Sequence, residues 1–511
     1  MAYRFNEYFM PLLTKLINAF FARRRKEIDF FMEHPQQVQQ QQLKWLLNRA
    51  ENTVFGREHG FSAVRTAEEF AAAVPVVDYD SFQSYIARIR AGEQNVLWPT
   101  EIKWFAKSSG TTSSKSKFIP VSHEGLQGGH MQGPRDVLCL FAHLYPQSHV
   151  FEGKTLTLGG SHRLESTGGK AQEGDLSAIL IENTPWWAAK RRTPRVETAL
   201  IPDFEEKVQA ICREAIGQRI TAFAGVPSWN LVLMNRVLEY TGKQNILEVW
   251  PDMELFVHGG MNFNPYREQY RRIFPSDRMK YMDTYNASEG FFAIQNDPKS
   301  DDMLLMLDYG VYYEFLPVAS LSDPSKAVPL EGVQMGVNYA MIITTSNGLW
   351  RYQIGDTVEF TSIVPYKIKI TGRTKLYINA FGEELIIDNA ETALQRVCAE
   401  TGALVTDYTV GPIYMGDRSK GSHQWLIEFN RAPTDIEQFT DLLDQALQQV
   451  NSDYEAKRFR DTTLLRPTVT VLPEGSFYRW MESRGKVGGQ NKVPRLYNDR
   501  TYIDQLLAQS R

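Results

Sequence analysis

"ITAFAGVPSWNLVLMNRVLEY", residues 220–240, carries the main argument for the fold. A short, mostly apolar run ends at Gly225, Val226 and Pro227 follow, and apolar residues then recur at helical spacing. This reads as a buried strand, a turn over Gly225–Pro227 and a helix. "MELFVHGG" (253–260) and "MKYMDTYNASEG" (279–290) repeat the first half of the pattern, each a strand running into turn residues. Strands that end in loops, with helices between them, predict an α/β domain whose ligands gather at strand ends.

The pattern changes at "KIKITGRTKLYINAFGEEL" (367–385). Beyond it the chain reads as a helix in 388–402, strands in 404–414 and 423–430, one longer helix over 436–459 and a strand in 467–473. With "LYINAF" (376–381) as the first strand, the order is β-α-β-β-α-β, the split βαβ arrangement. A chain of 511 residues is too long for one compact core. The expected fold class is therefore α/β: a large N-terminal α/β domain with several sheets over 1–372, and a small C-terminal α+β domain over 373–511. The joint is expected between Gly372 and Lys375.

Bulk properties narrow the function classes. Lys plus Arg is 56 against 60 for Asp plus Glu, a net charge of -4, so no basic excess points to nucleic acid. Cys139, Cys212 and Cys398 lie far apart with no metal spacing, which fits a reducing cytoplasm. No apolar run reaches the roughly 18 residues of a membrane span. Residues 1–50 read as helices, with "QQVQQQQ" (36–42) as a polar helix face. In "FNEYFMPLLTKLINAFFARRRKEIDFF" (5–31) the basic run follows the apolar residues instead of preceding them, unlike a signal peptide. The expectation is an amphipathic helix packed on its own domain, not a membrane contact.

Three stretches carry chemistry. "KSSGTTSSKSKFIPVS" (107–122) lies between strand-like "EIKWFAK" and "KFIPVS". Hydroxyls, glycine and lysine suit phosphate oxygens, and a run into a strand instead of a helix excludes a Walker loop. A flexible polar loop is the ordinary alternative. In "TYNASEGFFAIQ" (284–295), Tyr285 could stack on a planar base and Glu289 could hold magnesium beside phosphates. In "GLWRYQIGDTVEF" (348–360), Gly355 and Asp356 read as a turn between strands, where a carboxylate could take both ribose hydroxyls. Singly, each has a plainer alternative: a core tyrosine, a capping glutamate, a turn aspartate.

In this order, the three stretches resemble the auxin-responsive, Gretchen Hagen family of acyl-acid amido synthetases, within the adenylate-forming superfamily. "SSGTTSSKSKFIP" is similar to the family's phosphate loop, "TYNASEG" to its second motif and "LWRYQIGDTVEF" to its third. "ENTVFGREHGF" (51–61), "GVYYEFLP" (310–317) and "GQNKVPR" (489–495) extend the likeness over nearly the whole chain. The resemblance implies ATP and Mg2+ between a large domain and a small mobile one. It also implies an acyl-adenylate that passes to an amine, typically an amino acid.

By resemblance, Ser108, Ser109, Thr111, Thr112 and Lys117 grip the phosphates, with Lys115 the alternative lysine. Tyr285 lies against adenine near Asn286, Ala287 and Ser288; Glu289 places Mg2+; Asp356 fixes the ribose. Lys492 is the catalytic C-terminal lysine and Lys375 the hinge residue. Val226, Trp229, Leu233, Met261 and Phe263 could line the acyl pocket or belong to the core. His258 reads as structural. Asn286 stands where many adenylate-forming enzymes have glycine, and "GRTKLYINAFGEE" is closer to the broader superfamily than to the plant pattern, which marks a non-plant-like member. Two other functions remain open: a ligase with coenzyme A as acceptor, and a nucleotide-binding protein without catalysis.

Overall fold

A computed structural model of the chain describes residues 10–108, 117–158, 165–166, 171–201, 204–260, 263, 266–374, 377–415, 420–461, 463–484 and 493–509. It is a mixed α/β structure. A large N-terminal part carries several sheets, and a smaller α+β part follows. Among the described residues, twelve strands form one sheet. Lys154–Thr157, Ile220–Gly225, Leu255–Gly259 and Lys280–Ala287 lie side by side and parallel. The next strand, Gly290–Ile294, turns back antiparallel on Lys280–Ala287, and the sheet continues antiparallel from there. The change of direction falls on the strand carrying Tyr285, where an α/β sheet opens a crevice at its strand ends.

Local chemistry explains the opening segment. Ile220–Gly225 is apolar because a parallel strand is covered on both faces. Pro227 begins the helix Pro227–Thr241, where its missing N–H costs nothing. Gly242, at φ +67, ends that helix in a left-handed conformation. Trp104–Ser108 pairs antiparallel with Lys117–Val121, so the two ends of the polar loop, Ser108 and Lys117, stand opposite each other.

Residues 10–50 are two helices, Met10–Glu33 and Pro35–Ala50. The first packs through Ile28 and Phe31 while Phe20 is 78% exposed. Its basic run is partly internal: Arg24 pairs with Asp136 and Asp308. The glutamine run is not simply a solvated face. Gln39 is 2% exposed. Its Nε2 donates to the carbonyls of Leu307 (2.9 Å) and Val311 (3.0 Å), and its Oε1 accepts from Tyr313 N (2.9 Å). Among the described residues no helix is long and apolar enough to cross a membrane.

Two further expectations need correction. Gly355 and Asp356 do not form a turn between strands; both lie inside the strand Tyr352–Ile363. The partner Asn338–Thr345 pairs Ala340 with Thr357 and Ile342 with Gln353, so residues 354–356 bulge from the ladder, with Gly355 at φ +98. The long helix expected over 436–459 is two, Ile436–Val450 and Ser452–Arg458. Asn451 breaks it: its side chain caps the second helix at Tyr454 N (2.7 Å) and donates to Glu384 O (3.1 Å).

After Arg373 the element order follows the split βαβ pattern, with one change of partner. Leu404–Ile413, Ser422–Arg431 and Thr468–Leu472 form a sheet of three. Tyr377–Ile378 pairs instead with Leu385–Ile386. One buried cluster runs from Phe223, Phe256 and Tyr270 to Phe381, Trp425 and Leu443, so the C-terminal part shares apolar core with the parallel strands.

The third motif is anchored by a buried ion pair. Arg351 donates to both oxygens of Glu314 (2.9 Å each) and to the carbonyls of Ala71 (2.9 Å) and Val74 (2.7 Å). Removing one partner of such a pair leaves a buried charge alone and costs about 3–5 kcal/mol. Glu314→Ala is therefore expected to lower the midpoint of thermal unfolding by several degrees, and Glu314→Met with Arg351→Met to recover most of the loss. A single variant as stable as the double one would refute this account.

Candidate active site

A cleft of about 800 Å³ lies at the ends of the parallel strands, lined from the large part by residues that include Lys117, Tyr285, Glu289, Asp356 and Arg373. Asn379, Ala380, Glu384, Tyr414 and Asn498 close it from the C-terminal part. The second and third motifs, far apart in the chain, thus meet at one cavity.

Asp356 is the meeting point. Tyr285 Oη donates to its Oδ2 at 2.6 Å and Arg373 Nε to its Oδ1 at 2.7 Å. Arg373 continues to Glu384, 3.2 Å away, and so joins the cleft to the C-terminal part. Burial, reinforced by the Asp356 charge, pushes the Tyr285 phenol far above its usual range, so it remains a donor. The bulge at 354–356 carries Asp356 to this position, and Asp356 stands opposite Arg373 in the ladder.

Glu289 sits in the tight turn between Lys280–Ala287 and Gly290–Ile294 and is 5% exposed. Its backbone carbonyl accepts from Asn347 Nδ2 (3.2 Å), and Asn347 Oδ1 accepts from Ser122 N (2.9 Å). That amide ties the turn to the segment following the polar loop. Gly125 leaves it room: a Cβ there would lie 2.0 Å from Asn347 Oδ1.

Lys117 is 6% exposed at the start of its strand. Its Nζ donates to Tyr352 Oη (3.3 Å), which donates to Glu289 Oε1 (3.4 Å). Burial pulls the Lys117 ammonium down, and the Glu289 charge pulls it back up. Burial pushes the Glu289 carboxyl up, and Lys117 pulls it down. The two charges are buried together and partly neutralise each other, which a phosphate with its counter-cation could exploit.

The other expected residues divide three ways. Asn286, Ala287, Ser288 and Phe263 line the cleft with Tyr285 and Glu289. Phe263 stacks on His258 at 4.2 Å between centroids. His258 also lines the cleft, with Nδ1 3.3 Å from Asp283 Oδ1, a carboxylate neighbour consistent with an anchored structural histidine. Val226 and Trp229 do not line it. Val226 caps the helix Pro227–Thr241, and Trp229 packs on the shared core, with Lys457 Nζ 4.7 Å from its ring. Leu233 is fully buried core. The apolar stripe of that helix faces the core, as helical spacing favours. Ser109, Thr111, Thr112, Lys115, Met261, Lys375 and Lys492 lie outside the described residues, as does the Ser108 side chain.

Three cleft residues escaped the sequence reading. Arg373 and Glu384 sat inside the stretch taken as a joint. Tyr352 had a usable signal, an even spacing of four from Asp356 on a strand. Among the described residues no group of three or more His, Cys, Asp or Glu could hold a metal ion by itself.

Comparison with known proteins agrees with this geometry. Residues 24–279 match the GH3 family N-terminal domain, 304–373 the GH3 family central domain and 388–501 the GH3 family C-terminal domain. The indole-3-acetic acid-amido synthetase GH3.4 of Arabidopsis thaliana is 23% identical over 561 aligned residues, covering 92% of this chain and 90% of its own. Among solved structures, the GH3.15 acyl acid amido synthetase superposes with a TM-score of 0.57 at 18% identity, over 92% of this chain and 93% of the other. A 2-hydroxyisobutyryl-CoA ligase superposes at 0.55 with 14% identity, over 94% and 93%. At such identities the structural likeness speaks for the fold alone. The three domain matches follow one another along most of the chain, through both motifs that frame the cleft, and on them the chain belongs to the GH3 family.

Proposed function

We propose that this chain is an ATP-dependent acyl-acid amido synthetase, joining a carboxylic acid to an amine, probably best sought among amino acids, through an acyl-adenylate. The observation that carries the proposal is the convergence of Lys117, Tyr285, Glu289 and Asp356 on one cleft in a GH3-family chain. In the first half-reaction a carboxylate oxygen attacks the α-phosphorus of ATP, the bond to the β-phosphate oxygen breaks, and pyrophosphate leaves. In the second, an amine nitrogen attacks the acyl carbonyl, the carbon–oxygen bond to AMP breaks, and the amine loses a proton.

Each carboxylate oxygen of Asp356 uses one lone-pair site on Tyr285 or Arg373 and keeps another for a ribose hydroxyl. Adenine lies beside the Tyr285 strand end, and the phosphates run toward Lys117 and the loop 109–116. Glu289 fits Mg2+ by the chemistry of its donor set: magnesium takes one or two carboxylates and draws the rest from phosphates and water. Bound there, the ion supplies charge neutralisation for the leaving pyrophosphate. Residues 373–511 act as the small mobile domain that brings Lys492 to the α-phosphate.

The deciding experiment is carboxylate-dependent ATP–pyrophosphate exchange over a broad acid library, followed by amines and coenzyme A on the acid that responds. Exchange is expected with a subset of acids, falling about 10²–10³-fold in Asp356→Ala and Lys492→Ala. Undiminished exchange in both variants would remove the site assignment. A product that depends on coenzyme A and not on an amine would select the thiol acceptor.

The Lys117–Glu289 coupling has a sign that can be checked. The Glu289 carboxyl is raised by burial, so activity that needs its carboxylate is lost as pH falls through that raised value. Lys117→Met removes the charge that holds it down. The acid limb of kcat/KM is therefore expected to move to higher pH, whatever the loss in rate. A limb that stays in place shows the two groups to be uncoupled.

A further inference from the structure

His130 is 1% exposed at the end of a π-helical turn, Leu126–His130, which leads into the helix Gln132–Leu144. The junction presses on the hairpin that carries the second motif: a Cβ on Gly133 would lie 2.4 Å from the Phe291 ring. The imidazole faces the Asn286 side chain and the Ser288 backbone, and both contacts favour the protonated ring. Both partners therefore present acceptors. Burial nevertheless keeps the ring neutral, pushing it down to about 4, and a neutral imidazole has one N–H for two acceptors. The conflict is visible in the pairing. Both His130 nitrogens and Asn286 Oδ1 are buried without a completed hydrogen bond.

The Ser288 carbonyl cannot turn, but the Asn286 carboxamide can, because its last torsion is broad and two-fold. With the imidazole N–H on Ser288, the bare ring nitrogen is left for Asn286. A half-turn of the carboxamide then offers Nδ2 to that nitrogen and carries Oδ1 into the cleft, which Asn286 lines. We propose that His130 acts as a positioning residue that turns the Asn286 carboxamide oxygen toward the base, so that the pair selects a 6-aminopurine nucleotide over a 6-oxopurine one. The oxygen accepts from an exocyclic amine, whereas a 6-oxo base brings a second acceptor against it. The inference rests on the nucleotide placement proposed above and assigns the base selectivity of that same site.

The test is equilibrium binding of ATP and of inosine triphosphate to the full chain, by calorimetry, for wild type, Asn286→Ala, His130→Leu and the double variant. Wild type is expected to bind ATP about tenfold or more tightly than inosine triphosphate. Each single variant is expected to bring the ratio toward one through lost ATP affinity, and the double variant to be no worse than either. A ratio unchanged in Asn286→Ala, or losses in His130→Leu that fall equally on both nucleotides, overturns the proposal. Asn286→Ala, at the cleft lip, decides alone if His130→Leu does not fold. A preference for ATP without any carboxylate-dependent exchange leaves this inference standing and defeats the amido synthetase assignment. Equal exchange with inosine triphosphate does the reverse.

Discussion

A single carboxylate holds the cleft together. Asp356 takes a phenol on one oxygen and a guanidinium on the other, and these come from the second motif and from the strand that leads into the C-terminal part. Each of the three groups would be costly to bury alone; together they satisfy one another. The arrangement requires Asp356 to leave the regular ladder, which the bulge at 354–356 provides, and Gly355 supplies the positive φ that the bulge needs. Arg373 then extends the contact to Glu384, so a change in nucleotide occupancy at Asp356 reaches the C-terminal part through two side chains.

The opposite wall follows a different logic. Lys117 and Glu289 are buried on either side of the Tyr352 hydroxyl, close enough to interact but without direct contact. A tight ion pair would satisfy both charges and leave little for a ligand. The intervening hydroxyl leaves each only partly satisfied, and the ligand completes them. Asn347 and Gly125 hold the Glu289 turn from behind, so the carboxylate stands on backbone that is itself hydrogen-bonded to neighbouring segments.

What was legible in the sequence was local. The strand, turn and helix of 220–240 follow from apolar spacing and from Gly225 and Pro227, and the motif residues follow from their order along the chain. What was not legible depended on partners distant in sequence. A glycine–aspartate pair reads as a turn until the neighbouring strand shows it to be a bulge. Trp229 and Leu233 read equally well as pocket or core, and only the packing of the C-terminal part decides for core. Arg373 was hidden because a basic residue in a presumed joint has no periodicity to mark it. The helix break at Asn451 owes as much to the Glu384 carbonyl as to any intrinsic propensity.

Gln39 shows how far one side chain can stand in for backbone. Its carboxamide gives two donors to the carbonyls of Leu307 and Val311 and takes the N–H of Tyr313, which is the hydrogen-bonding work of a peptide unit at the edge of a strand. Its neighbours Gln40 and Gln41 are exposed, and glutamate could replace them with little effect. At position 39 the same change would set a carboxylate against two carbonyl oxygens. Deamidation, a one-atom change that ageing proteins undergo spontaneously, is harmless along most of this run and disruptive at one position, so the burial that makes Gln39 useful also shields it from the water that would hydrolyse it.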